Sequence, residues 1–126
     1  MSFDKIIFAF VIVLALTLNF GFVVGDITDI DHHNRYELFA SLVVSLIATV
    51  MKFGDRSQLG STMLATSLVA DVQLIAAALF WSWSALDGAA LSVHDTVTVV
   101  SLAIGALAAN VVSVVLLIVE TASLRR

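Results

Sequence analysis

Asp71 lies inside a long apolar run, Ser61 to Ala85, with no lysine or arginine at its depth. If that run is a membrane helix beginning near Ser61, ten residues at about 1.5 Å each place Asp71 roughly 15 Å into the bilayer. That is near the midplane of a ~30 Å hydrocarbon core. An ionised carboxylate there costs several kcal/mol unless it is paired, hydrated or protonated. Such acids mark ion pathways or proton relays, and the plainer reading is a hydrogen-bonded acid joining helices. Ser67 sits one turn away at i−4 and Gln73 is close by. Asn19 in the first apolar run and Asn110 in the last add polar groups at two further depths. Each alone reads as interhelical hydrogen bonding. Together with Asp71 they are the minimum expected of a polar path, and the five residues are the candidate ion pathway.

The only dense polar stretch is Asp26-Ile27-Thr28-Asp29-Ile30-Asp31-His32-His33. Glu37 follows it closely, and His94 with Asp95 opens the last apolar run on the same side. Carboxylates suit hard cations and imidazoles suit zinc or copper. The spacing matches neither a calcium-binding helical hand nor a zinc protease helix. A solvated acidic loop is the plainest reading. For a conducting protein, Asp26, Asp29, Asp31, Glu37 and Asp95 form an acidic outer mouth that gathers cations and repels anions. His32, His33 and His94 are candidates for metal binding or for pH sensing between about 5 and 8. No cofactor is implied beyond a bound cation.

These groups need elements to hold them, and the composition says which. Of 126 residues, 60% are hydrophobic and 13% charged, against a usual charged share nearer a quarter. This excludes a disordered chain, a nucleic-acid binder and an ordinary cytosolic enzyme. An integral membrane protein remains. The chain lacks cysteine, which removes disulfides and thiol chemistry, and lacks proline, which leaves its helices regular.

Four apolar segments, at about 3–24, 36–53, 61–85 and 93–120, each approach the ~20 residues of a membrane helix. Short links between them predict one all-α domain over 1–126, an integral-membrane four-helix up-down bundle. Asn34 with Glu37, and Ser92 with Asp95, read as capping boxes at two helix starts. Lys5, Lys52, Arg56, Arg125 and Arg126 fall on one side and Arg35 alone on the other. The lysine and arginine bias predicts both termini cytoplasmic. Trp81 and Trp83 then mark the outer interface. The first segment is long, its basic region is the single Lys5, no small-residue cleavage site follows it, and it is read as retained.

Small residues recur near four-residue spacing: Gly21 and Gly25; Ser41 and Ser45, with Thr49; and Ser101, Gly105, Ala109 and Ser113. Such stripes let helices approach closely. Packing within one chain accounts for most of them, and their number mildly favours a homo-oligomer.

Leu16-Thr17-Leu18-Asn19-Phe20-Gly21-Phe22 with Gly25-Asp26, Val50-Met51-Lys52-Phe53-Gly54-Asp55-Arg56 with Leu68-Val69-Ala70-Asp71, and Asn110-Val111-Val112-Ser113 resemble a family of small bacterial inner-membrane proteins of unknown function. The resemblance spans nearly the whole chain and implies four helices in a bacterial inner (plasma) membrane. It transfers no activity. The leading expectation is an oligomeric cation channel or cation-conducting pore. The first alternative is a structural or accessory subunit of a larger transporter or channel. The second is a proton-coupled small-solute transporter. Membrane lipid is the surrounding partner, and no nucleic acid is expected. An enzyme is least expected, because no catalytic residue can be argued from the loop cluster.

Overall fold

The computed structural model describes residues 3–124 except 56, 87 and 89, with Leu124 by its backbone alone. The sequence-based expectations resting on Arg56, Arg125 and Arg126 lie outside the described residues. Among the described residues there are four α-helices and no strand: α1 (Phe3–Val23), α2 (Arg35–Lys52), α3 (Gln58–Ser84) and α4 (Val93–Leu124). One short 3-10 turn, Ile30–His32, lies in the α1–α2 loop. Three helices, α1, α3 and α4, are long and apolar enough to cross a membrane. The fourth, α2, has 18 residues with Arg35, Glu37 and Lys52 near its ends.

Helix starts follow local chemistry. Asn34 caps α2 by accepting from Tyr36 N at 2.8 Å. Only half of the expected capping box forms. The Glu37 carboxylate turns away from Asn34 and lies against Gly21 of α1, where the missing side chain leaves room. Ser57 caps α3 by accepting from Gly60 N at 2.9 Å. Helix α3 therefore begins at Gln58, about one turn before the Ser61 expected from hydropathy. Ser92 accepts from Asp95 N at 3.1 Å and starts α4 where expected, while α4 continues past residue 120 to Leu124.

The helices pack in a ring, α1 on α2, α2 on α3, α3 on α4 and α4 back on α1. Two apolar clusters show the chain alternating in direction. One joins Phe8, Ile12, Ala48, Met63 and Leu117 near the end that carries both termini. The other joins Phe22, Leu38, Leu74, Ala77, Val99 and Ala103 toward the opposite end, called here the loop end. The outward faces carry Phe10, Val13, Val43, Leu46, Val72, Leu79, Val115 and Ile118, all exposed. A surface this apolar suits lipid rather than water.

Candidate functional site

Buried polar residues collect in and around the gap between the two apolar clusters, and all four helices contribute. They are Asn19, Ser41, Ser45, Thr49, Ser67, Asp71, Asn110 and Ser113. Asp71 is 4% exposed and faces α2. The Ser45 hydroxyl donates to its Oδ1 at 2.6 Å and the Thr49 hydroxyl to its Oδ2 at 2.5 Å. Both donors project from one face of α2 because they are four residues apart. Ser67, four residues before Asp71, is buried on the same stripe of α3.

The heavy-atom geometry of this pairing accommodates either protonation state of the acid. Thr49 Oγ1 is also 3.0 Å from the carbonyl oxygen of Ser45. With Asp71 ionised, both hydroxyls donate to the carboxylate, in short charge-assisted bonds. With Oδ2 protonated, Asp71 donates to Thr49, and Thr49 turns its proton to the Ser45 carbonyl. A hydroxyl both donates and accepts, so rotation about one bond converts the two. Gaining or losing a proton here requires no backbone movement. The same oxygens suit a small hard cation, but they are fewer than the six or more that calcium takes.

The other candidate residues divide between two neighbouring interfaces. Asn19, with its amide oriented to satisfy both ends, donates to the Ala103 carbonyl at 3.0 Å. Its oxygen accepts from Leu107 N at 3.0 Å and from the Asn110 amide at 3.1 Å. The two asparagines thus join α1 to α4. Gln73 does not accompany Asp71. Two residues along an α-helix turn about 200°, so its side chain lies on the α4 side against Gly105. Its Oε1, like Ser41 Oγ, is buried without a hydrogen-bond partner among the described residues. Thr66 and Ser113 hydroxyls meet at 2.6 Å between α3 and α4. Sequence reading had treated Ser45 and Thr49 as packing residues. Their matched depth to Asp71 is a property of how α2 and α3 register.

At the loop end, the acidic cluster is tied into turns. Thr28 donates to the Asp26 carboxylate through its backbone at 2.9 Å and its hydroxyl at 2.8 Å. These bonds, with smaller contributions from His32 and His33, hold that carboxyl below its usual range. The Asp29 side chain accepts from Asp31 N at 3.0 Å. Asp26, Asp29 and Asp31 are exposed, and Glu37 and Asp95 are half-buried. His33 is buried, His32 and His94 are exposed. Among the described residues no three His, Cys, Asp or Glu side chains converge as a metal set.

At the opposite end a cleft of about 360 Å³ is lined by Asp4, Lys5, Phe8, Lys52, Asp55 and Glu120, among others. Lys52 is 8% exposed. Its ammonium is 3.2 Å from Asp55, 4.0 Å from Glu120 and 4.5 Å from the centre of the Phe8 ring. The Asp55 carboxyl is held below its usual range by hydrogen bonds from Ser57 first, then by Lys52.

The small-residue stripes are largely used inside the chain. Ser41, Ser45, Ala109 and Ser113 are buried, Gly21 is covered by Glu37 and Gly105 by Gln73. Gly25 lies in the loop rather than a helix, at φ +111°, with His32 against it. Ser101 faces outward.

A family model covers residues 32–121, from the α1–α2 loop almost to the end of α4. The chain belongs to DUF6394, a family of unknown function. The DUF6394 match takes in Val50–Arg56, Leu68–Asp71 and Asn110–Ser113, and so includes Asp71 with both of its hydroxyl partners. The stretch around Asn19 precedes it. No curated protein and no solved structure matches the chain.

Proposed function

We propose that this DUF6394 protein is a four-span membrane protein, α2 included, that moves a small cation past Asp71, and that the proton is the cation the site suits best. The observation that carries this reading is the hydroxyl relay. A buried carboxylate, with no cationic side chain among its hydrogen-bond partners, is satisfied ionised or protonated by turning Thr49 alone. Both termini lie on the cytoplasmic side in this reading, and the acidic loop end forms the outer mouth. A homo-oligomer in a bacterial inner membrane remains part of the proposal, with conduction passing through each chain rather than along an axis between chains.

One observation favours proton-coupled carriage of a small solute as the second reading. Apolar clusters flank the polar residues on both sides. Such a site is occluded, and opening it to one side at a time is what a carrier requires.

The test is ion flux into liposomes holding only the purified protein, wild type beside Asp71→Asn. An asparagine reproduces the protonated relay, accepting from Ser45 and donating to Thr49, so the variant should assemble. Wild type should dissipate a proton gradient, and the variant should do so about tenfold more slowly or worse. Equal flux in the two would remove Asp71 from the path. Absence of wild-type flux under H⁺, Na⁺, K⁺ and Ca²⁺ gradients, from folded protein, would overturn the proposal in favour of an accessory subunit.

A further inference from the structure

His32 and His33 both hold the backbone of one residue, Asp26, one ring at its N–H and the other at its carbonyl. The ring Nδ1 of His32 lies 2.7 Å from the backbone N–H of Asp26 and accepts from it. The ring Nε2 of His33 lies 2.9 Å from the carbonyl oxygen of the same Asp26. His33 Nδ1 lies 2.6 Å from the carbonyl oxygen of Phe22, in the last turn of α1. His33 is 4% exposed, and its ring packs against Phe22 at 5.6 Å between centres.

These contacts set opposite demands. A neutral imidazole carries one N–H, and its other nitrogen is an acceptor. His32 faces a donor with Nδ1, so it fits only the neutral ring with its proton on Nε2. That proton points toward Asp29 Oδ2, 3.5 Å away. His33 faces carbonyl oxygens with both nitrogens, and a carbonyl cannot donate. Only the imidazolium satisfies both at once. A cation at that position also lies at a helix C-terminus, where the peptide dipoles favour it.

We infer that His33 is a proton-binding site at the mouth of the bundle, whose bound proton clamps the α1–α2 loop to the end of α1. Loss of that proton leaves one carbonyl facing a lone pair and frees either Phe22 O or Asp26 O. Protonation of His32 breaks the other half of the grip, because Nδ1 can no longer accept from Asp26 N. The loop is therefore held when His33 is charged and His32 is not. Among the titratable groups around the pair, Asp26 and Asp29 belong to the same loop. Glu37 comes from α2, lying against Gly21, one residue from Phe22. His94 and Asp95 come from the start of α4 at the same end. From α3 the ring of Trp81 meets Phe22 at 6.0 Å and does not titrate. This site is separate from Asp71, and its proton does not depend on conduction.

Nitrogen NMR of protein labelled with ¹⁵N-histidine, in lipid vesicles, reads the ring protonation directly. The His32→Gln, His33→Gln and His94→Gln variants serve only to assign each signal. At about pH 7 His33 should show protons on both nitrogens, and His32 a proton on Nε2 alone. A His33 ring with one bare nitrogen at every pH from about 6 to 8 would overturn the assignment. So would an Nδ1-protonated His32. Neither result bears on whether Asp71 passes ions, which the flux assay decides separately.

Discussion

Asp71 gains its properties from two hydroxyls that differ in what they do. Ser45 donates to the carboxylate and to nothing else shown, whereas Thr49 stands between the carboxylate and the Ser45 carbonyl. Removing either leaves a carboxylate oxygen with less compensation in a low-dielectric interior. Hydrogen bonds between membrane helices average about 0.6 kcal/mol, with about 1.7 as the upper measured value. Ser45→Ala should fall within that range, and Thr49→Val at or above its upper end, because it also breaks the relay. Equilibrium unfolding in mixed micelles measures both. In the Asp71→Asn background the two losses should shrink, since a neutral amide needs less compensation than a carboxylate. Undiminished losses there would mean the hydroxyls stabilise the helices without regard to the charge.

The helices are joined by turns whose carboxylates bond to the backbone, and this makes the turns acid-sensitive. Thr28 at one end of the molecule and Ser57 at the other hold Asp26 and Asp55 below the usual carboxylate range. A carboxyl whose value is lowered by folding stabilises the fold while it is ionised. That contribution is complete above the ordinary value of 3.8 and is lost as pH falls through the lowered one. Both turns should therefore loosen in acid below about pH 4. Thr28→Val and Ser57→Ala should flatten that acid dependence, each at its own turn. Amide hydrogen exchange at fixed pH steps separates the turns, which a single melting curve would merge. An acid limb identical in wild type and both variants would place the sensitivity elsewhere.

For the whole molecule, the decisive question is whether α2 crosses a membrane, as α1, α3 and α4 are long and apolar enough to do. It is the shortest helix and carries charged residues near both ends, yet it supplies both partners of Asp71. A chain without cysteine allows a clean answer. Single cysteines at Asp31 and Ala90 should react with an impermeant reagent from outside. Cysteines at Gln58 and Ser123 should react only after the membrane is opened. Labelling of positions 31 and 58 from the same side would show that α2 does not span.

Helix number and the approximate ends of the helices were legible in the chain, because hydropathy and length are local sums. Asn34 and Ser92 announced their helices for the same reason: a cap acts on amides two or three residues away. Hydropathy places the start of α3 one turn late, because the turn that Ser57 caps, Gln58-Leu59-Gly60, carries a single apolar side chain. What touches what was not legible. Gln73 and Asp71 are neighbours in sequence, yet their side chains lie on different faces of α3, and only packing decides which helix each face meets. Ser45 and Thr49 looked like small packing residues until the register of α2 against α3 set them opposite a carboxylate. His32 and His33 read from sequence as candidates for metal binding or pH sensing, and only the folding-back of the loop gives three of their four ring nitrogens backbone partners. Sequence alone determined the number of helices and the order of polar and apolar residues along each. The tertiary structure decided helix rotation and loop closure, because those depend on contacts between residues far apart in the chain.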